Sequence, residues 1–152
     1  MREAMKTILV PVDFSSVSVA VIEHAAQLAA AFSSAVWLLH VAAPEPDFVG
    51  YDEGPRSVRE QVAGEMRDTH RRLQEESSRL RERGIDATAI QVQGATTETI
   101  LHEADRLQAD VIVLGSHGHG ALHRALLGSV SEGVLHRAAC PVVLIPSRAA
   151  TR

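Results

Sequence analysis

The chain has 152 residues, 45% of them hydrophobic and 22% charged, and a formal net charge of −4. These values suit one soluble domain, residues 1–152, with a proper core, and they exclude the basic face that non-specific nucleic-acid binding requires. Cys140 is the only cysteine, so no intrachain disulfide forms, and the N-terminal stretch lacks the long apolar run of a signal peptide or membrane span. The expected compartment is the cytoplasm, with neither membrane nor nucleic acid as a partner.

Ile8-Leu9-Val10 with Val12 is a short apolar run ending at Asp13, the pattern of a strand covered on both faces. Phe14-Ser15-Ser16 offers polar caps to a helix in which Val17, Val21, Leu28 and Phe32 recur at helical spacings and which closes near Ser33-Ser34. Ala35-Val36-Trp37-Leu38-Leu39-His40-Val41 reads as a second buried strand, completing a right-handed parallel unit. Residues 44–55, rich in Pro, Gly, Asp and Glu, predict a surface loop able to act as a lid. Val58, Val62, Met66, Thr69, Leu73 and Leu80 mark one stripe of a long helix whose other faces carry Arg and Glu, and Gly84 stops it.

Thr88, Ile90 and Val92 alternate with Ala89, Gln91 and Gln93, the half-polar pattern of a strand near a sheet edge. Thr96 or Thr97 is expected to cap a third helix bearing Ile100, Ala104 and Leu107. Asp110 leads into Val111-Ile112-Val113-Leu114, which runs directly into Gly115-Ser116-His117-Gly118-His119-Gly120. The last helix is expected over 129–138, and Val142-Val143-Leu144-Ile145 is the final strand. Ser129, with Glu132 three residues on, has the spacing of a capping box. Strand, glycine loop and helix start thus converge, and glycines beside unpaired helix N–H groups suit an anion, above all phosphate.

Gly115, two residues, Gly118, nine residues, Gly128 and then Ser129 is a spacing that resembles the ATP-binding members of the universal stress protein family. The likeness extends from Lys6-Thr7-Ile8-Leu9-Val10-Pro11-Val12-Asp13 to Cys140-Pro141-Val142-Val143-Leu144-Ile145-Pro146. The resemblance implies a three-layer α/β/α sandwich around a five-stranded parallel sheet of order 3-2-1-4-5, adenine nucleotide alpha hydrolase-like. Ligands of open parallel sheets bind beyond the carboxyl ends of strands where the order reverses, here between the first and fourth strands. By resemblance, Asp13 lies beside the nucleoside, the backbone of Val41 meets adenine, and Gly115, Ser116, His117 and Gly118 with Gly128, Ser129, Val130 and Ser131 hold the phosphates. Pro11, Val12 and Ser15 are further contact candidates. The implied ligand is ATP, with Mg or Mn as its candidate counter-ion. Relatives pair their last strands across a two-fold axis, which implies a homodimer through Val142, Val143, Leu144 and Ile145.

Other readings compete. Asp13 also suits a helix N-cap. His117, His119, His123 and His136 cluster in sequence, but their spacing matches no established zinc pattern. Arg124 could offset phosphate charge or simply face solvent, and Cys140 reads as a small buried hydrophobe rather than a nucleophile. The leading function is a nucleotide-dependent stress-response module. A nucleotide hydrolase or phosphotransferase would need a basic clamp, acidic metal ligands and a water-orienting group, of which only fragments are present, so turnover is expected to be slow or absent. The third alternative is a nucleotide-free interaction module, against which the intact glycine motif speaks.

Overall fold

The computed structural model describes residues 4–44, 56–117 and 127–147. Strands and helices alternate: β1 (Thr7–Pro11), α1 (Ser18–Phe32), β2 (Ala35–Ala42), α2 (Arg56–Glu82), β3 (Ala87–Gln93), α3 (Thr96–Arg106), β4 (Val111–Gly115), α4 (Ser129–Arg137) and β5 (Val142–Ile145). All pairings are parallel and the order is β3-β2-β1-β4-β5, as the family resemblance implies. The order reverses between β1 and β4, where Ile8 pairs with Val111 and Leu9 with Ile112.

Alternation along the strands builds two cores. Ile8, Val10, Val36, Leu38 and Val113 pack with α1 and α2, whereas Leu9, Leu39, Ile112 and Leu114 pack with α3 and α4. Ile8, Leu9, Val10, Ile112 and Val113 are wholly buried, because a central parallel strand has a helix on each face. Ala25, Ala26 and Ala29, all buried, give α1 its close approach to the sheet. At the opposite end from the candidate site, Asp110 Oδ2 accepts the amides of Lys6 at 2.8 Å and Thr7 at 2.9 Å, which fixes β1 against the start of β4.

Helix starts depart from expectation. Gly128, not Ser129, is the N-cap of α4, and no described side chain caps that end. Ser129 sits one residue too far in for its hydroxyl to reach the amide that a capping box requires, and Glu132 instead points along the helix, 3.8 Å from His136. Ala95 takes the N-cap of α3 ahead of Thr96, and Val17 that of α1, neither with a side-chain cap bond. Phe32, expected on the core stripe of α1, is 49% exposed, and Ile22 and the three alanines form that face instead. On α2 the predicted stripe is fully buried only at Leu73 and Leu80; Val58, Val62, Met66 and Thr69 are half-buried. The expected lid lies, from residue 45 on, outside the described residues. Among the described residues no helix is long and apolar enough to cross a membrane.

Candidate functional site

Past the end of β1 the main chain is tied to β2. The Val12 amide donates to Leu39 O at 2.8 Å, and Val12 O receives a hydrogen bond from His40 Nδ1 at 2.8 Å. A carbonyl only accepts, so His40 carries its proton on Nδ1. Asp13 is exposed, and its Oδ1 accepts the Ser15 amide at 2.9 Å and the Ser18 hydroxyl at 3.2 Å. This is an Asx turn leading into α1, so Asp13 organises the turn without being the N-cap. Phe14 adopts a positive φ of 57°, a rare conformation for a bulky residue. Its ring rests 5.5 Å from that of His40, and the Arg72 guanidinium lies 4.3 Å above it. Ser15 Oγ is buried with no hydrogen-bond partner among the described residues.

Past the end of β4, a side chain on Gly115 would meet Val17 Cγ1 at 2.7 Å and His117 O at 3.1 Å. The absence of a side chain there is therefore explained by the approach of α1. Ser116 donates its amide to Ile145 O at 2.9 Å and accepts the Gly128 amide at 2.8 Å, closing the residues that leave β4 onto those entering α4. Its hydroxyl lies 3.0 Å from His117 Nδ1, while His117 Nε2 is buried with no described partner. Ser131 is buried and donates its hydroxyl to Gly115 O at 2.6 Å, so any contact it makes to a ligand is left to its amide.

Gly128 has φ −65° and ψ 154°, open to any residue, and its carbonyl accepts the Glu132 amide at 2.9 Å. The amides of Ser129, Val130 and Ser131 lie ahead of the first intrahelical bond and have no acceptor within α4, so the helix presents them, with the positive end of its dipole, at the carboxyl edge of the sheet. Val41 is half-buried in β2 opposite Val92, and Pro11 is half-buried opposite Leu39.

The fold thus brings Pro11, Val12, Asp13, Ser15, Gly115, Ser116, His117, Gly128, Ser129, Val130 and Ser131 to two neighbouring strand ends, with Val41 one strand further along. Gly118, His119, His123 and Arg124 lie outside the described residues. His40 and Phe14 are missed by motif spacing. A histidine in an otherwise apolar strand and an aromatic residue set between Asp13 and two serines are the available signals. Cys140 is half-buried against the α3/α4 core, and burial pushes its thiol up, away from nucleophile chemistry. Among the described residues no group of three or more His, Cys, Asp or Glu is placed to hold a metal ion.

A parallel sheet of this order, with an exposed carboxylate and an uncapped helix end at its switch point, defines an α/β protein of the adenine nucleotide alpha hydrolase-like fold. The chain belongs to the universal stress protein family, whose model matches residues 5–146. It is 32% identical to universal stress protein MJ0531 of Methanocaldococcus jannaschii over 141 residues, covering 92% of this chain and 81% of that protein. The fold matches that of UspA from Lactobacillus plantarum with a TM-score of 0.80 and 22% identity, covering 95% and 99% of the two chains. Two further structures of this fold carry adenine mononucleotides: a universal stress protein in complex with cAMP (TM-score 0.67, 24% identity, 95% and 99% coverage) and one from Archaeoglobus fulgidus in complex with dAMP (TM-score 0.63, 22% identity, 94% and 99% coverage).

Proposed function

We propose that this protein binds an adenine nucleotide, with ATP as the fitting form, between the ends of β1 and β4, and acts as a single-domain cytoplasmic regulatory module rather than a rapid catalyst. The observation that carries this reading is the start of α4, where a glycine N-cap leaves three amides uncapped by any described side chain, and where the Gly128 amide is bonded to the carbonyl of Ser116, the neighbour of His117, whose buried Nε2 has no described partner. Phosphate oxygens would take those amides, and a buried ring nitrogen calls for a partner that a ligand could supply. The exposed Asp13 carboxylate, across the switch point, would accept from ribose hydroxyls. Relatives of similar fold solved with cAMP and dAMP fit the same ligand class. An Mg or Mn ion would arrive with the phosphates.

The test is to release small molecules from the purified protein by heat, identify them by absorbance and mass, and titrate ATP calorimetrically. Saturable ATP binding at one site per chain supports the reading, and none at millimolar nucleotide overturns it. Turnover near the roughly 10 per second typical of dedicated enzymes would replace the module with an enzyme. We further infer a homodimer through Val142, Val143, Leu144 and Ile145, because β5 ends the sheet and Val142, Val143 and Leu144 remain partly exposed. Val143→Lys should halve the mass by light scattering, and a wild-type monomer at tens of micromolar would remove this inference.

A further inference from the structure

Beside the β1 turn, on the side away from β4, α1 and α2 leave a cleft of about 220 Å³, room for about seven waters at roughly 30 Å³ each. One wall is apolar and comes from Phe14, Val19 and Ile22; the other is ionic and comes from a single face of α2, where Arg72, Glu75, Glu76 and Arg79 fall at helical spacings of three and four. Val19 is 78% exposed, an apolar side chain left open at the mouth of the cleft.

The charges on the ionic wall are unequally committed. Arg79 pairs with Glu76 at 2.5 Å. Arg72 stacks on the Phe14 ring but has no ion pair among the described residues, and Glu75 has none either. Ser15 Oγ, which also borders the cleft, is buried without a described partner. The positive φ of Phe14 holds its ring in this wall and under Arg72. Two arginines and two glutamates cancel, so a simple anion gains from Arg72 what it loses against Glu75 and Glu76. A ligand carrying both charges and an apolar body meets Arg72, Glu75 and the exposed Val19 at once.

We propose that this cleft is a second ligand site that takes a small apolar zwitterion of the α-amino acid class. Its carboxylate pairs with Arg72, its ammonium with Glu75, and its side chain covers Val19 and Ile22. The site does not depend on the nucleotide reading, yet it shares Ser15 and Ser18 with the turn that holds Asp13.

L-Leucine is the probe, titrated into the wild-type chain and followed by calorimetry and amide chemical shifts. Saturable binding at or below about 1 mM is expected. Leucine amide, which lacks the carboxylate, and 4-methylpentanoate, which lacks the ammonium, should each bind at least tenfold more weakly, and inorganic phosphate should not compete. Arg72→Met, Glu75→Gln and Val19→Glu alter side chains at the cleft wall and should each weaken leucine at least fivefold, with thermal midpoints measured alongside to confirm folding. No saturation by 10 mM leucine, equal binding of 4-methylpentanoate or phosphate, or indifference to all three substitutions overturns the proposal. ATP titrated separately into the same proteins keeps a failure of this site distinct from a failure of the nucleotide site.

Discussion

The exits of β1 and β4 flank the same switch point and are finished in opposite ways. At the β1 exit both main-chain groups of Val12 are committed to β2, and Asp13 already receives the Ser15 amide and the Ser18 hydroxyl. At the β4 exit Ser116 is equally committed, but the helix that follows opens on a glycine with no described side chain over its first amides. Ser, Thr, Asp or Asn is the usual solution at that position, each able to satisfy an orphan donor. Both helices start without a side-chain cap bond, but the β1 exit has Asp13 tied into its turn, whereas no described side chain bonds the first amides of α4.

The strongest way to break that contrast is to cap α4. Gly128→Asp fits a backbone with φ −65° and ψ 154°, and aspartate is a better N-cap than glycine by a few tenths of a kcal/mol. The thermal midpoint should hold or rise slightly. Nucleotide affinity should nevertheless fall at least about 100-fold, or roughly 2.7 kcal/mol, because the carboxylate occupies and repels the phosphate position. Unchanged calorimetric affinity in this folded variant would mean that the uncapped end is not where phosphate sits.

Gly115 tests the other half of the glycine motif and should behave differently. Its added Cβ would lie 2.7 Å from Val17 Cγ1, so Gly115→Ala is expected to destabilise the fold by about 2 kcal/mol through overpacking, with or without nucleotide. Urea unfolding of Gly115→Ala, Val17→Ala and the double variant gives the coupling. The double variant should be more stable than the sum of the two single changes allows. Strict additivity would show that the glycine serves something other than this contact.

These two glycines show what sequence could and could not reveal. Strand limits, to within a residue, followed from apolar runs such as Val111 to Leu114, because central parallel strands are buried on both faces and leave an unbroken hydrophobic signature, whereas the strand order came from the family resemblance. Spacing singled out Gly115 and Gly128 together but could not distinguish a glycine needed for helix packing from one at a helix start, since only the crossing of α1 over β4 brings Val17 to Gly115. The cap at Ser129 failed for a local reason, a shift of one residue in where the helix begins. The His40, Phe14 and Arg72 stack joins three separate elements of the chain, and no local period carries such a signal.

Asp13 sharpens the contrast from the β1 side. Asp13→Asn keeps an oxygen acceptor for the Ser15 amide, whereas Asp13→Ala removes it and should cost about 1 kcal/mol of stability. If the carboxylate also serves the ribose, Asp13→Asn should stay as stable as wild type while ATP affinity drops about tenfold, roughly 1.4 kcal/mol. Equal ATP affinity in Asp13→Asn and wild type would confine the carboxylate to its turn.

The smallest expected effect concerns the helices that follow the two exits, each tethered by one exposed ion pair: α1 by Glu23 to Arg83 at 2.9 Å, and α4 by Arg137 to Glu98 at 3.0 Å. The hydrogen bond from Arg83 holds the Glu23 carboxyl below its ordinary range, and that from Arg137 does the same for Glu98. A carboxyl lowered in the folded state contributes stability above its unfolded value, and that contribution is lost as pH falls through the folded one. The stability difference between wild type and Arg83→Met, or Arg137→Met, should therefore be full above the ordinary glutamate range near about 4.3 and vanish in stronger acid. Both differences should be small and should shrink with added salt, because the partners are about half exposed. The two exits are expected to diverge in ligand response, with Arg137→Met raising the hydrogen-exchange rate of the α4 amides only in the nucleotide-free protein and Arg83→Met raising that of α1 with or without nucleotide. Protection of α1 and α4 to the same degree by ATP would show that the ligand closes both exits, and the asymmetry between them would then belong to the free protein alone.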